Sequence, residues 1–286
     1  MSKVWLVTGS SRGLGRDIAE AVLAHGDRLI ATARKPEQLA DLVERYGDRV
    51  RAVALDVSDA TAAPAAVQAA VDAFGRLDVL VNNAGYGHAI PFEQSDEDGF
   101  RAQMETNFYG VVNLTRAALP VMRAQRSGHI LQISSVGGRV GSPGLSAYQS
   151  AKWAVGGFTE VVASEVAHLG IKLCSLEPGG MRTGWIAEAS SLLEEIWPDY
   201  QDSVGAFRSR VKDMQGNEAS DPARVAQVVL RMGYHEQPPR HLILGGDALH
   251  YFGLVEQERV AAAERWRDVS VSTGFDAGAI PAFPAN

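Results

Sequence analysis

Short apolar runs rich in β-branched residues alternate with longer stretches in which apolar positions recur every three or four residues. The short runs at 4–8, 29–33, 50–55, 79–82, 130–134, 171–176 and 242–244 predict strands. Helices are predicted over 14–25, 36–46, 60–74, 100–123 and 147–168. The first carries Ile18, Ala19, Val22 and Leu23 on one face, and the second opens on Pro36, a residue suited to a first helical turn. Most of the strands are apolar along their length, which suits a sheet covered on both faces. Strand and helix alternate over some 250 residues, so the expected fold is an α/β, doubly wound parallel sheet. No repeat or low-complexity linker divides it. The expectation is one domain over 1–273.

Two segments depart from this rhythm. Residues 179–220 show no strand pattern but carry Trp185, Ile186, Leu192, Leu193, Ile196, Trp197, Tyr200 and Phe207. A connection that long reads as a helical lid insertion. Residues 253–268 predict a C-terminal helix with an apolar face of Leu254, Val255, Val260, Ala261 and Trp266. The Pro- and Gly-rich tail 274–286 is expected to be loose.

Composition narrows the function. The chain of 286 residues is 46% apolar with a net charge of −7. That balance argues against a nucleic-acid partner, which calls for a basic face. Cys174 is the one cysteine, so an intrachain disulfide is excluded and a reducing, cytoplasmic setting is expected. No secretory signal and no run of 18 apolar residues is present, so no membrane span is expected.

The first strand runs into Thr8-Gly9-Ser10-Ser11-Arg12-Gly13-Leu14-Gly15 and then a helix. Glycines there let backbone approach a pyrophosphate, which the free N–H groups of the helix start can bind. Many strand-to-helix turns use glycine for other reasons, and place in the first βα turn is what favours a nucleotide. An NAD site calls for an acid at the end of the second strand. Here Arg34 stands there instead, and Arg12 lies inside the glycine turn. Two guanidiniums suit a 2′-phosphate, so NADP(H) is the expected cofactor. The competing reading is two solvated surface arginines.

Tyr148 and Lys152 stand four residues apart, on one face of a predicted helix. A nearby ammonium lowers a phenol's pKa, making the pair an acid/base unit for carbonyl–alcohol exchange. Ser134 and Ser135 end the preceding strand, and alternation turns only one of them to the site. Asn107 falls within a helical stretch, where it could also be a local hydrogen bond or kink.

These motifs together resemble the single-domain short-chain dehydrogenase/reductase family, over about residues 4–183. The matching segments are Thr8–Gly15, Asp56-Val57, Asn82-Asn83-Ala84-Gly85, Asn107, Ser135, Tyr148 with Lys152, and Pro178-Gly179 followed by Thr183. The resemblance implies a Rossmann-type fold. It implies Tyr148 as proton donor or acceptor, Lys152 lowering its pKa and holding the nicotinamide ribose, Ser135 orienting the carbonyl, and Asn107 fixing a water. It places Gly9, Ser11, Arg12, Gly13, Leu14 and Gly15 at the pyrophosphate side. Asp56, Val57, Asn83, Ala84 and Gly85 would border adenine and its ribose, and Pro178, Gly179 and Thr183 the nicotinamide end. Family members pair as dimers or tetramers through the two long helices, here 100–123 and 147–168, and the extra C-terminal segment favours a dimer. The long connection after Thr183 and the C-terminal helix resemble the longer steroid- and retinol-type reductases.

The seven histidines show no metal-ligand spacing, so no metal is expected. His88 could face substrate or be structural. Cys174 reads as a core residue, and the acids 93–98 as a solvated helix start with Ser95 as a cap candidate. Loops 86–92, 141–145 and 180–197 would line a mostly apolar pocket for a hydrophobic ketone, aldehyde or alcohol. Arg139 or Arg182 could instead bind an acidic substrate. Two other functions compete with a reductase. A catalytically silent NADP(H) sensor is disfavoured by the intact Asn107, Ser135, Tyr148 and Lys152. A nucleoside-cofactor methyltransferase would need neither Tyr148 nor Lys152.

Overall fold

The structure is a computed structural model describing residues 2–185 and 195–284. Among them, seven strands form one parallel sheet: β1 Val4–Val7, β2 Arg28–Ala33, β3 Val50–Ala54, β4 Val79–Asn82, β5 Gly128–Ile133, β6 Ile171–Pro178 and β7 His241–Leu244. Their order is β3-β2-β1-β4-β5-β6-β7. The winding reverses between β1 and β4, which opens a crevice at the strands' carboxyl ends. The helices are α1 Gly13–His25, α2 Ala40–Tyr46, α3 Ala63–Phe74, α4 Glu97–Met104, α5 Gly110–Gln125, α6 Ser146–Val166, α7 Ala206–Asp213, α8 Pro222–Met232, α9 Gly246–Arg265 and α10 Arg267–Val271.

The sheet is buried on both faces, and strand alternation divides its side chains between two cores. Trp5, Val7, Leu131, Ile133, Cys174 and Leu176 pack against α1 and α8. Val4, Leu6, Leu80, Ile130 and Leu173 pack against α3, α5 and α6. Trp5 can be fully buried because its indole N–H donates to Asp27 at 3.0 Å.

Several elements differ from expectation. The helix predicted over 100–123 is α4, a π-helical turn at Glu105–Tyr109, and α5. The Asn107 amide donates to the Gln103 carbonyl at 2.8 Å, and a side chain inserted into the ladder widens the turn. The cap of α4 is Asp96, which accepts from the Gly99 N–H, whereas the Ser95 hydroxyl donates to Phe92 O. The helix α8 was not anticipated, although Asp221 caps it and Pro222 opens it. The C-terminal helix starts earlier than expected, and its predicted apolar face is not buried: Leu254 is 53% and Val260 68% exposed. Part of the expected lid, 186–194, lies outside the described residues. Its two ends meet in a bridge between Met181 and Ser220, and α7 forms part of it. From the tail, Phe283 packs edge-on against Trp266. No helix among the described residues is long and apolar enough to cross a membrane.

Candidate active site

The first βα turn is built around its neighbours. The Thr8 hydroxyl accepts from the N–H groups of Asn83 and Ala84 at 2.9 and 3.0 Å. The Asn83 amide donates back to Thr8 O at 2.9 Å. These bonds hold the segment after β4 against the glycine turn. Gly9 has φ +68° and lies so close to Ala84 that a Cβ would sit 3.1 Å from its Cα. A Cβ on Gly15 would collide with the Gly9 carbonyl group. A Cβ on Gly13, which has φ +53°, would lie 3.6 Å from Thr183, so the segment after β6 comes to the same turn.

These observations test whether a dinucleotide fits. The glycines leave a shallow cradle where side chains would fill it, and α1 begins without a side-chain cap on its first N–H groups. Free N–H groups beside a backbone cradle suit a pyrophosphate. Arg12 and Arg34 are both exposed. Arg34 and Asp56 both act electrostatically on the Tyr86 phenol, which places them around one spot beyond β2 and β3. The exposed Asp56 accepts from the Ser58 N–H and hydroxyl, while Val57 is buried and its carbonyl accepts from Asn113. Ser11 and Leu14 lie on the turn, and Pro178 ends β6. Gly179 donates to Leu244 O, and Gly180 to the Asp247 carboxylate at 2.9 Å.

The chemical groups converge beside this turn. Tyr148 and Lys152 share a face of α6, with the Lys152 Nζ 5.6 Å from the tyrosine ring centre. Lys152 is 4% exposed, and its ammonium donates to Ile133 O at 2.8 Å. A Cβ on Gly85 would lie 2.5 Å from Asn107 Oδ1 and 3.6 Å from Lys152 Nζ, so both approach this glycine. Asn107 is fully buried; its amide donates to Tyr86 O and Gln103 O, and its oxygen accepts from Tyr86 N–H. It is thus both the local hydrogen bond and the kink, and it pins the loop after β4.

Of the two candidate serines, Ser135 reaches the site. Its hydroxyl accepts from Gly137 N–H at 3.0 Å and lies near enough to the Tyr148 phenol to act on its proton. Ser134 is buried and donates to Lys152 O. Burial lifts the Tyr148 phenol above its ordinary value, and the Ser135 hydroxyl opposes the rise. Burial also lowers the Lys152 ammonium to about 8. From spacing alone, the lysine is expected to pull the phenol down. In the folded chain desolvation raises it instead, because burial disfavours the charged form of each group.

Sequence reasoning missed a buried ionic cluster at the end of β6. Glu177 is 1% exposed and accepts from Arg139 at 3.1 Å, from the Ser175 hydroxyl at 3.1 Å and shares a 2.6 Å bond with His241. Its one signal was a lone acid in an apolar strand. Arg139, offered above as a ligand for acidic substrates, is instead committed to Glu177. Arg182 is exposed and donates to Glu218 O. The His88 ring lies tilted against Tyr86 with centroids 5.2 Å apart, and its backbone N–H donates to Gln103. Glu93 is hydrogen-bonded to the Tyr200 hydroxyl, so one acid of the 93–98 run meets the insertion. Burial lifts the Cys174 thiol to about 12, which makes it inert. Among the described residues no group of three or more His, Cys, Asp or Glu could hold a metal ion.

Comparison with known proteins places this geometry. The sequence pattern of the family described as short chain dehydrogenase matches residues 3–192. "Oxidoreductase BOA17" of Botryotinia fuckeliana is 50% identical over 274 residues, which are 96% of this chain and all of that protein. A short-chain dehydrogenase structure from Streptomyces avermitilis is 40% identical with a TM-score of 0.89, covering 96% of this chain and 100% of the other. An alcohol dehydrogenase from Thermococcus sibiricus, solved with 5-hydroxy-NADP, is 25% identical with a TM-score of 0.70, covering 86% and 97%. Both cofactor forms occur among such structures: a metagenomic short-chain oxidoreductase holds NADP, and a Burkholderia phymatum protein of like fold holds NAD.

Proposed function

The chain belongs to the short-chain dehydrogenase family and is an NAD(P)-dependent oxidoreductase, and from that premise we propose that it interconverts a carbonyl and an alcohol with NADP(H), using Tyr148 as the acid/base. The observation that carries this reading is Tyr148 and Lys152 on one face of α6, with the Lys152 ammonium 5.6 Å from the centre of the phenol ring and Ser135 near enough to the phenol to act on its proton. The nicotinamide, when bound, supplies or accepts the hydride. The protein's part is position and proton. Ser135 and Tyr148 hold the substrate oxygen, and Tyr148 gives it a proton in reduction or takes one in oxidation. The raised phenol keeps its proton at neutral pH, which suits the reductive direction. Lys152 holds the ribose side, and Asn107 positions the loop after β4 and a water that serves Lys152.

The missing acid after β2, with Arg12 and Arg34 in its neighbourhood, supports the phosphorylated cofactor. The substrate is an apolar ketone, aldehyde or secondary alcohol. The commitment of Arg139 to Glu177 removes one candidate for binding an acidic one. On the same reading the chain pairs through α5 and α6, where Tyr109, in the π turn that leads into α5, and Val161 on α6 are exposed. The competing reading, a silent NADP(H) sensor, has no observation in its favour beyond the cofactor turn. The test is an NADPH-oxidation screen over ketones and aldehydes, repeated with Tyr148→Phe. We expect turnover that falls at least about a hundredfold in the variant, the scale of a lost general acid. Full activity in Tyr148→Phe would remove the mechanism.

A further inference from the structure

Trp185 stands two residues past Thr183 and lays its indole against the Tyr148 ring, with centroids 5.3 Å apart at 51°. Both rings also close on Gly87. A Cβ there would lie 2.9 Å from Trp185 Cζ2 and 3.0 Å from Tyr148 Cδ2. One contact therefore joins residues that follow three different strands: Gly87 after β4, Tyr148 after β5 and Trp185 after β6. Gly87 is not among the glycines with positive φ, so its backbone does not call for glycine. The two rings do, because no side chain fits between them. Gly87 is buried, while Tyr148 and Trp185 are half-buried and keep an open side.

Building on the carbonyl–alcohol reading, we infer that Trp185 is a specificity-determining residue that selects carbonyls bearing an aryl or other flat apolar substituent. A carbonyl oxygen held by Tyr148 and Ser135 brings its substituent alongside the indole. A flat ring meets the indole in the offset or edge geometry that aromatic pairs prefer, and a flexible alkyl arm does not. Gly87 lets the indole stand this close to the phenol. The Glu177 pairing of Arg139 leaves no guanidinium from that loop to reward a carboxylate instead.

The test compares an aryl methyl ketone with an alkyl methyl ketone of equal carbon number, using NADPH and the full chain. Wild type, Trp185→Ala, Trp185→Phe and Gly87→Ala are measured, with NADPH affinity read separately by calorimetry. In Trp185→Ala we expect KM for the aryl ketone to rise about tenfold, kcat to change less than about threefold, and the alkyl ketone to be nearly unaffected. Trp185→Phe restores most of the aryl preference. Gly87→Ala, whose Cβ meets the Tyr148 ring as well as the indole, lowers turnover of both ketones and so marks what displacing the phenol does, and NADPH affinity stays unchanged in all three. An unchanged aryl-to-alkyl ratio in an active Trp185→Ala overturns the inference alone. So does an equal loss on both ketones in that variant, or a loss that follows weakened NADPH binding, since each makes Trp185 a structural prop. A wild type that binds NADPH yet reduces neither ketone overturns the carbonyl–alcohol reading, and this inference with it.

Discussion

Lys152 is held at a cost that can be measured. It is 4% exposed, and burial takes its pKa from 10.5 down to about 8. A lysine whose pKa falls on folding binds its proton more tightly in the unfolded chain. Its contribution therefore penalises the fold below about pH 8, and the penalty is relieved as pH rises toward 10.5. At about 1.4 kcal/mol per pKa unit, the fall to about 8 costs roughly 3 kcal/mol at pH 7. Lys152→Met keeps the linear stem and deletes the charge. It also deletes the hydrogen bond to Ile133 O, worth about 1 kcal/mol. The variant is expected to be more stable than wild type by roughly 2 kcal/mol at pH 7 while losing carbonyl reduction. Urea unfolding of the cofactor-free chain, followed by circular dichroism at pH 7 and pH 10, measures the difference. It should shrink at pH 10, where most of the penalty is relieved. A variant no more stable than wild type at pH 7, or a gap that does not narrow, refutes the reasoning.

Two other outcomes follow from named contacts. Glu177→Ala strands the partly buried Arg139 and leaves His241 with Glu160 alone, and should destabilise by about 3 kcal/mol, the low end for removing one partner of a buried pair. Arg139→Ala in the same chain should recover part of it, and a loss under about 1 kcal/mol in the single variant would show that the cluster is not an energetic unit. Arg34→Ala should weaken NADPH binding about 10- to 100-fold, the scale of a charge-assisted hydrogen bond, and leave NADH binding nearly unchanged. Calorimetry with both cofactors decides this, and equal wild-type catalytic efficiency with NADPH and NADH would refute the assignment.

The legible parts of the fold were those whose signal is local. β1 is apolar on both faces because both faces are covered, so its run reads directly. The glycine turn was legible because close backbone approach leaves glycine as the residue that fits. Gly15 against Gly9 is that constraint made visible. The π turn was not legible, because it comes from one amide, Asn107, reaching back to Gln103 within an ordinary helical pattern. The helix α9 misled for the opposite reason. Its apolar residues have helical spacing, yet spacing says which residues share a face and not whether anything covers it. Leu254 and Val260 are exposed, and Ala248 is the one buried residue of that helix. Glu177 was invisible because its partners, Arg139 and His241, lie 38 and 64 residues away in sequence.

The same distinction governs the chemistry. Four-residue spacing correctly put Tyr148 and Lys152 on one face of α6. It could not supply the dielectric around them, and the sign of a pKa shift depends on that. Spacing alone counts the ammonium as a charge that draws the phenol down. In the folded chain burial weakens the ammonium's hold on its own proton and raises the phenol, and the hydroxyl of Ser135 is what pulls the phenol back. The phenol is therefore held protonated at neutral pH, the form that the proposed reading needs for an acid. On the proposed reading this orders the pH dependence by direction of reaction. Reduction needs the proton on Tyr148 and the charge on Lys152, so its rate should fall above about pH 8 as the lysine neutralises. Oxidation needs the phenolate, and should instead gain as pH rises, until the loss of the Lys152 charge overtakes it.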